Sequence, residues 1–362
     1  MPLARCSLRR RTSLSARTEW QGTPTEEFDY PLPAEAIAQQ PLAERSSSRM
    51  LVLEPGGGVR DSLVTDLPRV LRTGDCLVVN DTRVRAARLR GTVGERSGEV
   101  LLLRELAAGR YLALARPARA LSPGAALEGR GWRAVVESVW AGHPAGREVR
   151  LDVDAGVNLA EIGEVPLPPY LKQQRGDPER YQTVYSKGPA VSAAAPTAGL
   201  HLTEELLLEL EASGVVVSRV QLEVGLATFT PIRTPTIEAH PMHSERYRIS
   251  SLAAAQVGAS RSTGGRIIAV GTTAVRCLES SPDGEGGVLA GAGETDLYLR
   301  PGSRFQVVDG LLTNFHQPRS SLLVLVSAYY GRDRVRAAYR AALQRGYRFL
   351  SFGDCMFGWR LA

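Results

Sequence analysis

The feature that most limits the fold is a block of short β-rich runs, with no helical period between them, inside a chain that elsewhere alternates strand and helix. Apolar and β-branched residues gather at 76–79, 87–93, 99–106, 111–115, 132–139 and 148–153, divided by turns such as Ser97-Gly98 and Ser122-Pro-Gly124. Six short strands at that spacing predict a small antiparallel barrel between Gly74 and Asp154. Outside the block the texture changes. Met50-Leu-Val-Leu53 reads as a strand closed by Gly56-Gly-Gly58, and Thr203 caps a helix that runs to Ala212 and stops at Gly214. Residues 215–224 and 266–270 read as strands, 333–344 as a helix, and 347–352 as a returning strand with Gly353-Asp354 at its end. The fold class that follows is α/β: a discontinuous α/β domain over 25–73 and 158–362, with an inserted antiparallel β-barrel domain over 74–157.

Charge bears on partners only after it is located. The formal net charge is +6, but Arg5, Arg9, Arg10, Arg11 and Arg17 stand in an acid-free tail, so removing those five leaves about +1. Residues 1–24 are expected to be a disordered basic tail outside the fold. Between Arg319 and Arg360 arginines again outnumber Asp333 and Asp354; a solvated helix face explains this more simply than a phosphate-binding face. The apolar run from Ser320 to Gly331 is too short to span a bilayer, and the tail has no secretory apolar core. Cys6, Cys76, Cys277 and Cys355 lie far apart without a C-x-x-C pair, so neither a disulfide framework nor a zinc or iron–sulfur site is indicated, and a reducing cytoplasm is expected.

Several segments are odd as structure alone, though each has a bland reading. Ala195-Pro-Thr-Ala-Gly-Leu-His201 places Thr197, Gly199 and His201 in a tight loop before a helix, where a neutral histidine can act as acid or base or simply be a hydrogen-bonded cap. Gly271-Thr272-Thr273-Ala-Val-Arg276 follows a strand and opens a helix, a plausible anion site or an ordinary threonine cap. His240-Pro-Met-His243-Ser-Glu245 has metal-like spacing but no third ligand cluster; a His243–Glu245 pair sharing a proton across one face of an extended segment is the stronger reading. Thr313-Asn314-Phe315-His316 reads as a polar loop before an apolar helix, and Asn80-Asp81-Thr-Arg83 ends a strand. Asp354 occupies the kind of strand end where carboxylates often act.

In combination these segments resemble a known family. The order Asn80-Asp-Thr-Arg83, Pro166-Leu-Pro-Pro-Tyr170, Arg180-Tyr181-Gln182-Thr-Val-Tyr185, Ala195 to His201, Met242-His-Ser-Glu245, Ala269-Val-Gly-Thr-Thr273, Thr313-Asn-Phe-His316 and Tyr347-Arg-Phe349 with Gly353-Asp354 resembles the S-adenosylmethionine:tRNA ribosyltransferase-isomerase family across nearly the whole chain. The resemblance implies an α/β domain with an inserted barrel. It also implies transfer and isomerisation of the ribosyl group of S-adenosylmethionine, a co-substrate here, onto preQ1 at the tRNA wobble position. The products are epoxyqueuosine-tRNA, adenine and methionine, and the expected partner is tRNA carrying preQ1.

The implied chemistry needs a base for a C5′ proton that the sulfonium acidifies, an acid to help adenine leave, and no metal. His201, His243, Glu245 and Asp354 are the candidates, with base and acid unassigned. Tyr170, Tyr181 or Phe315 would face the sulfonium. Arg83 or Arg276 would hold the methionine carboxylate. Asp81, Gln182, Thr197, Gly199, Thr272, Thr273, Asn314 and His316 complete the expected binding set. The chain departs from the family pattern at Glu223-Val-Gly225 and Ala227-Thr-Phe229, where His-Val-Gly and Gly-Thr-Phe are usual, at Leu202 and at Ala274. A divergent paralogue with another acceptor, or a non-catalytic tRNA-binding protein, are the alternatives. A monomer outside any membrane is expected. Deleting residues 1–20 should leave melting temperature and turnover essentially unchanged. Thermal melts and steady-state assays check this, and a large drop in either would show that the tail packs or binds.

Overall fold

The computed structural model describes residues 22–141, 143–172, 177–188, 190–225 and 230–361. After a lead-in of short turns, the chain forms β1 (Arg49–Leu53), β2 (Val59–Leu63), the single-turn helix α1 (Leu67–Val70), β3 (Cys76–Asn80) and β4 (Arg83–Val84). Six strands follow: β5 (Arg88–Val93), β6 (Arg96–Ala107), β7 (Arg110–Arg116), β8 (Ala126–Gly129), β9 (Trp132–Val139) and β10 (Gly146–Val153). The return to the first domain runs through α2 (Leu159–Ile162), β11 (Ala190–Ser192), α3 (Glu204–Ala212), β12 (Val216–Leu222), β13 (Glu245–Ile249), α4 (Ser251–Ser262), β14 (Ile267–Val270) and α5 (Gly271–Glu279). It ends with β15 (Gly291–Thr295), β16 (Gly310–Asn314), α6 (Ser321–Tyr330), α7 (Arg332–Gln344) and β17 (Cys355–Trp359).

The middle strands close on themselves as a barrel in the order β10-β7-β6-β5-β8-β9, every pair antiparallel. Alternation drives closure: Tyr111, Ala113 and Ala115 of β7 and Trp132, Ala134 and Val136 of β9 point into a core shared with Leu89, Val100 and Leu127, while the residues between them are more exposed. Two strand expectations need correction. Residues 76–79 belong to the large sheet, because β3 is apolar and buried at every position, the signature of a strand covered on both faces. The sixth barrel strand is β8 instead, whose Ala-Leu-Glu-Gly sequence carries almost no strand propensity.

The large sheet runs β15-β13-β12-β3-β14-β16-β17-β1-β2. Its heart, β12, β3, β14 and β16, is parallel. Cys76 and Val78 pack on one side against α4 to α7, through residues such as Val257, Val275 and Tyr329. Leu77 and Val79 pack on the other side against α1 and α3, through Leu67, Leu206 and Leu210. Each such side chain gains roughly 1.5–3 kcal/mol on leaving water. Thr203 caps α3, its hydroxyl accepting from the Leu206 N–H at 3.1 Å. The stretch 347–352 is not a strand: Leu350 has φ +69°, and Phe349 makes only an isolated bridge to Ile37. Asp354 therefore precedes β17 rather than ending a strand.

The amino ends of the parallel strands are tied by Asp75, which is fully buried. Its carboxylate accepts from the N–H groups of Arg72 (2.9 Å) and Arg266 (3.0 Å) and from the Arg266 guanidinium at 2.5 Å. Asp75→Ala should cost roughly 3–5 kcal/mol in a denaturant titration, because it strands a partly buried guanidinium and two amides. Arg72→Ala, whose guanidinium is largely exposed, should cost less than about 1 kcal/mol. Similar small losses for both would contradict this account.

Candidate active site

Polar segments collect at the carboxyl ends of the parallel strands, the edge where open α/β sheets place their chemistry. Asn80 ends β3, Gly271 follows β14, Asn314 ends β16, and Glu223 to Gly225 follow β12. Gly271 takes φ +86°, which lets β14 turn directly into α5. Over this edge lies the 195–201 loop, a single turn of 3-10 helix over Thr197–His201. A Cβ on Gly199 would stand 1.8 Å from the Tyr185 hydroxyl, so only glycine lets the loop sit this close. The placement resolves several expectations. Thr313 and Asn314 are the end of buried β16, not a loop, and Asn314 Nδ2 reaches His201 Nε2 at 3.1 Å.

Two clefts open at this edge. One is lined by His201, Arg45, Arg180, Ser48, Ser351 and Phe352 among others. The other is lined by His243, Glu245, Arg276, His240 and Tyr298 together with apolar residues of α6. In the second, Glu245 does not pair with His243. Its carboxylate accepts from the Gly225 N–H at 2.8 Å and forms a close buried ion pair with Arg276. Entry into β13 turns the Glu245 side chain toward the α5 helix, whereas His243 stays exposed on the rim, its ring 6.3 Å from Trp140 of the barrel. Among the described residues no three His, Cys, Asp or Glu side chains gather as metal ligands.

Other expected binding groups turn out to be occupied. Arg276 also donates to the carbonyls of Leu297 (3.1 Å) and Thr295 (3.3 Å), and Arg83 pairs with Glu179, so neither guanidinium waits for a carboxylate. Gln182 exchanges two 3.0 Å hydrogen bonds with the Val84 main chain, acting as a strand partner. The carboxylate of Asp354 accepts from the N–H groups of Arg49 (3.0 Å) and Arg348 (2.8 Å), binding β1 to the turn before β17. Burial pushes its pKa up while those amides oppose the rise. Phe315 stacks on Phe349 at 4.6 Å inside the core, and Tyr181 is enclosed edge-on to Phe352; neither presents a face to a ligand. Tyr170 is partly buried, its hydroxyl 2.7 Å from that of Ser351 beside the first cleft.

Thr272 and Thr273 are buried at the start of α5, and Thr273 Oγ1 has no hydrogen-bond partner among the described residues. Thr197 is half-buried in the loop. Asp81 is partly buried beyond β3; burial pushes its pKa up and Arg219 opposes this. Glu223 is likewise raised by burial, against Arg246 and Arg85. Ala227 to Phe229, the second departure from the family pattern, lie outside the described residues. Arg45, Arg180, Ser48, His240 and Tyr298 were not expected to line the clefts. Arg180 and His240 stand inside recognised segments without a cleft-lining role of their own, and Arg45, Ser48 and Tyr298 carry no motif at all. Most of the arginines after Arg319 serve internal contacts: Arg319 with Asp29, Arg345 with Asp61, Arg334 with the Glu54 carbonyl.

Burial holds two histidines neutral. The pKa of His201 is pushed down to about 4, chiefly by burial, with the Asn314 hydrogen bond opposing and Arg348 and Arg45 reinforcing the fall. That of His316, hydrogen-bonded to the Thr313 hydroxyl at 2.9 Å, is pushed down to about 3 by burial.

A doubly covered sheet with a neutral histidine, an enclosed ion pair and two clefts at the carboxyl edge of its parallel strands defines an α/β enzyme carrying an inserted barrel. A family model described as queuosine biosynthesis protein matches residues 25–357. Relatives named S-adenosylmethionine:tRNA ribosyltransferase-isomerase are 48% identical over 343 residues in Moorella thermoacetica and 47% over 336 in Symbiobacterium thermophilum. In both, the match covers 91% of this chain and 98% of the relative. The crystal structure of an S-adenosylmethionine tRNA ribosyltransferase from Thermotoga maritima is similar at 34% identity, covering 92% of this chain and 99% of that one, with a TM-score of 0.53. The chain belongs to the S-adenosylmethionine:tRNA ribosyltransferase-isomerase family of queuosine biosynthesis, and it is a transferase-isomerase.

The neutral histidines give a pH signature. With folded values below the ordinary 6.5, both sites contribute their full stability above pH 6.5. Below it the unfolded chain takes up protons that the folded chain refuses. Stability is lost from pH 6.5 down to about 4 for His201 and about 3 for His316, at roughly 1.4 kcal/mol per pH unit for each ring. Melting temperature measured between pH 7.5 and 4 should fall, and His316→Gln should flatten the fall. An unchanged slope in that variant would show that His316 is protonated in the fold.

Proposed function

We propose that this chain transfers the ribosyl moiety of S-adenosylmethionine, with isomerisation, to the aminomethyl group of preQ1 at the wobble position of tRNA. The products are epoxyqueuosine-tRNA, adenine and methionine. The observation that carries this reading is the 48% identity over 343 residues to a relative bearing the enzyme's name. The convergence of the motif segments on one sheet edge supports it. Divergence at Glu223 alone does not favour a paralogue, and a purely RNA-binding role would give the buried polar set no task.

The chemistry divides between the two clefts. A base must remove a C5′ proton beside the sulfonium, and His243 offers an exposed imidazole on the rim of its cleft. Glu245 and Arg276 neutralise each other beside it, so their pair shapes the wall rather than moving the proton. The amino end of α5, with Thr272 and the Thr273 hydroxyl that has no hydrogen-bond partner among the described residues, favours a negative group such as the methionine carboxylate. His201, uncharged at neutral pH, belongs on the leaving-group or binding side. Asp81, Thr197 and Tyr170 stand nearer to binding than to chemistry. S-adenosylmethionine as co-substrate, a cytoplasmic location and action as a monomer complete the reading.

Incubation with preQ1-tRNA and S-adenosylmethionine, followed by nucleoside mass analysis, should yield epoxyqueuosine with equimolar adenine and methionine. His243→Ala should slow single-turnover adenine release by on the order of 10²–10⁴-fold while leaving co-substrate affinity nearly unchanged. Absence of the modified nucleoside would overturn the activity. Release within about threefold of wild type would remove His243 from the base role.

A further inference from the structure

Asn314 has both amide hydrogens committed. Its Nδ2 lies 3.0 Å from the Leu350 carbonyl oxygen and 3.1 Å from His201 Nε2. A carbonyl oxygen can only accept, so it decides which way the amide faces. Turned over, Oδ1 would stand against the Leu350 oxygen, acceptor against acceptor. With Nδ2 in place, its second hydrogen points at His201 Nε2, which must be unprotonated to receive it. A neutral imidazole then carries its proton on Nδ1. The ring is 3% exposed and lines the first cleft, and Nδ1 has no hydrogen-bond partner among the described residues.

The surroundings of that cleft share one character. Arg45 and Arg180 stand beside His201 with the hydroxyls of Ser48 and Ser351, and no carboxylate lines the cleft among the described residues. The two guanidinium groups hydrogen-bond to main-chain carbonyls, Arg45 to those of Leu200 and Glu179 and Arg180 to those of Ala43 and Leu42. Their charge is thus held in place by main-chain contacts, with Asp177 and Glu179 acting on Arg45 from nearby. The same positive field opposes protonation of His201, in line with its low pKa.

We infer that His201 works as a neutral hydrogen-bond donor through Nδ1, aimed together with Arg45 and Arg180 at an oxyanion of the substrate, and that Asn314 is the positioning residue that sets this tautomer. His201 is then not the base of the reaction. What the oxyanion belongs to rests on the proposed activity, either the carboxylate of S-adenosylmethionine or a phosphate of the tRNA. The tautomer does not depend on that reading.

The test begins with the full chain labelled with 15N in its histidine rings, His201 being assigned by loss of its signals in His201→Gln. At pH 7 the wild-type ring should show a protonated Nδ1 and a pyridine-like Nε2. Asn314→Asp, which can only accept, should move the proton to Nε2 and raise the titration point. A wild-type ring protonated on Nε2 overturns the proposal. For turnover, His201→Asn places an amide N–H near the position of Nδ1 and His201→Gln places one near Nε2. The first should stay within about tenfold of wild type and the second fall by roughly 10²–10³-fold, the usual loss for a removed donor. Equal losses with unchanged melting temperatures would overturn the donor role. Affinities of Arg45→Gln for S-adenosylmethionine and for an unmodified tRNA transcript separate the sources. A carboxylate predicts weaker co-substrate binding alone, and a phosphate predicts weaker RNA binding with a shallower salt dependence. No change in either overturns the oxyanion. A wild-type protein that shows the Nδ1–H tautomer but forms no epoxyqueuosine would sink the activity and leave the tautomer standing.

Discussion

The register of the central parallel strands depends on a carboxylate with no access to water. Asp75 stands where β3 begins, and its side chain takes up the main-chain N–H of Arg266, the residue that leads into β14. Its own carbonyl accepts from Val216 at the head of β12 at 2.8 Å. One residue thus aligns the starts of three neighbouring strands. Because β3 and β14 then run four or five residues in step, the alignment is carried to their far ends, where Asn80 and Gly271 must lie level for the site to form. Asn80 repeats the device at that end, its amide bridging the Leu222 main chain with two 3.0 Å hydrogen bonds. A slip of one residue in β3 would exchange Cys76 and Val78 for Leu77 and Val79 between the two helical layers, so packing and hydrogen bonding enforce the same register.

How far the sequence discloses this varies by element. The barrel is legible because alternation needs only neighbours along the chain, and the capped helix at Thr203 is legible for the same reason. Residues 76–79 read as part of the barrel because a short apolar run says that a strand is buried, not which sheet buries it. The stretch 347–352 reads as a strand by composition, yet the positive φ at Leu350 and the tie between Phe349 and the lead-in segment break it. Neither cause is local.

The candidate site divides in the same way. Motif segments holding Asn80, Thr197 to His201, Gly271 to Thr273 and Asn314 gather at one edge of the sheet. They did not reveal function within it, because residue type does not show whether a polar group is already spent. Gln182, Asp354, Arg83 and Arg276 look like ligand-binding residues on paper and prove to be bonded to the protein itself. Conversely, Arg45 arrives from a segment without periodicity or motif, some 155 positions before the Leu200 carbonyl that holds it.

The pairing of β1 with β17 sets an order of events during synthesis. Met50 lies opposite Cys355, and Asn314 lies opposite the same cysteine from the other side. On the ribosome, β1 and β2 emerge early and can form only a hairpin, and the barrel, whose strands all lie between Arg88 and Val153, can close while the large sheet still lacks most of its strands. The turn holding Ser351 and Asp354 reaches its place only when β17 slots between β16 and β1. Such long-range closure is slow, and it leaves an apolar strand edge waiting in the meantime. The nascent enzyme therefore carries a finished barrel and an unfinished catalytic edge, and it becomes competent in the final step of its folding.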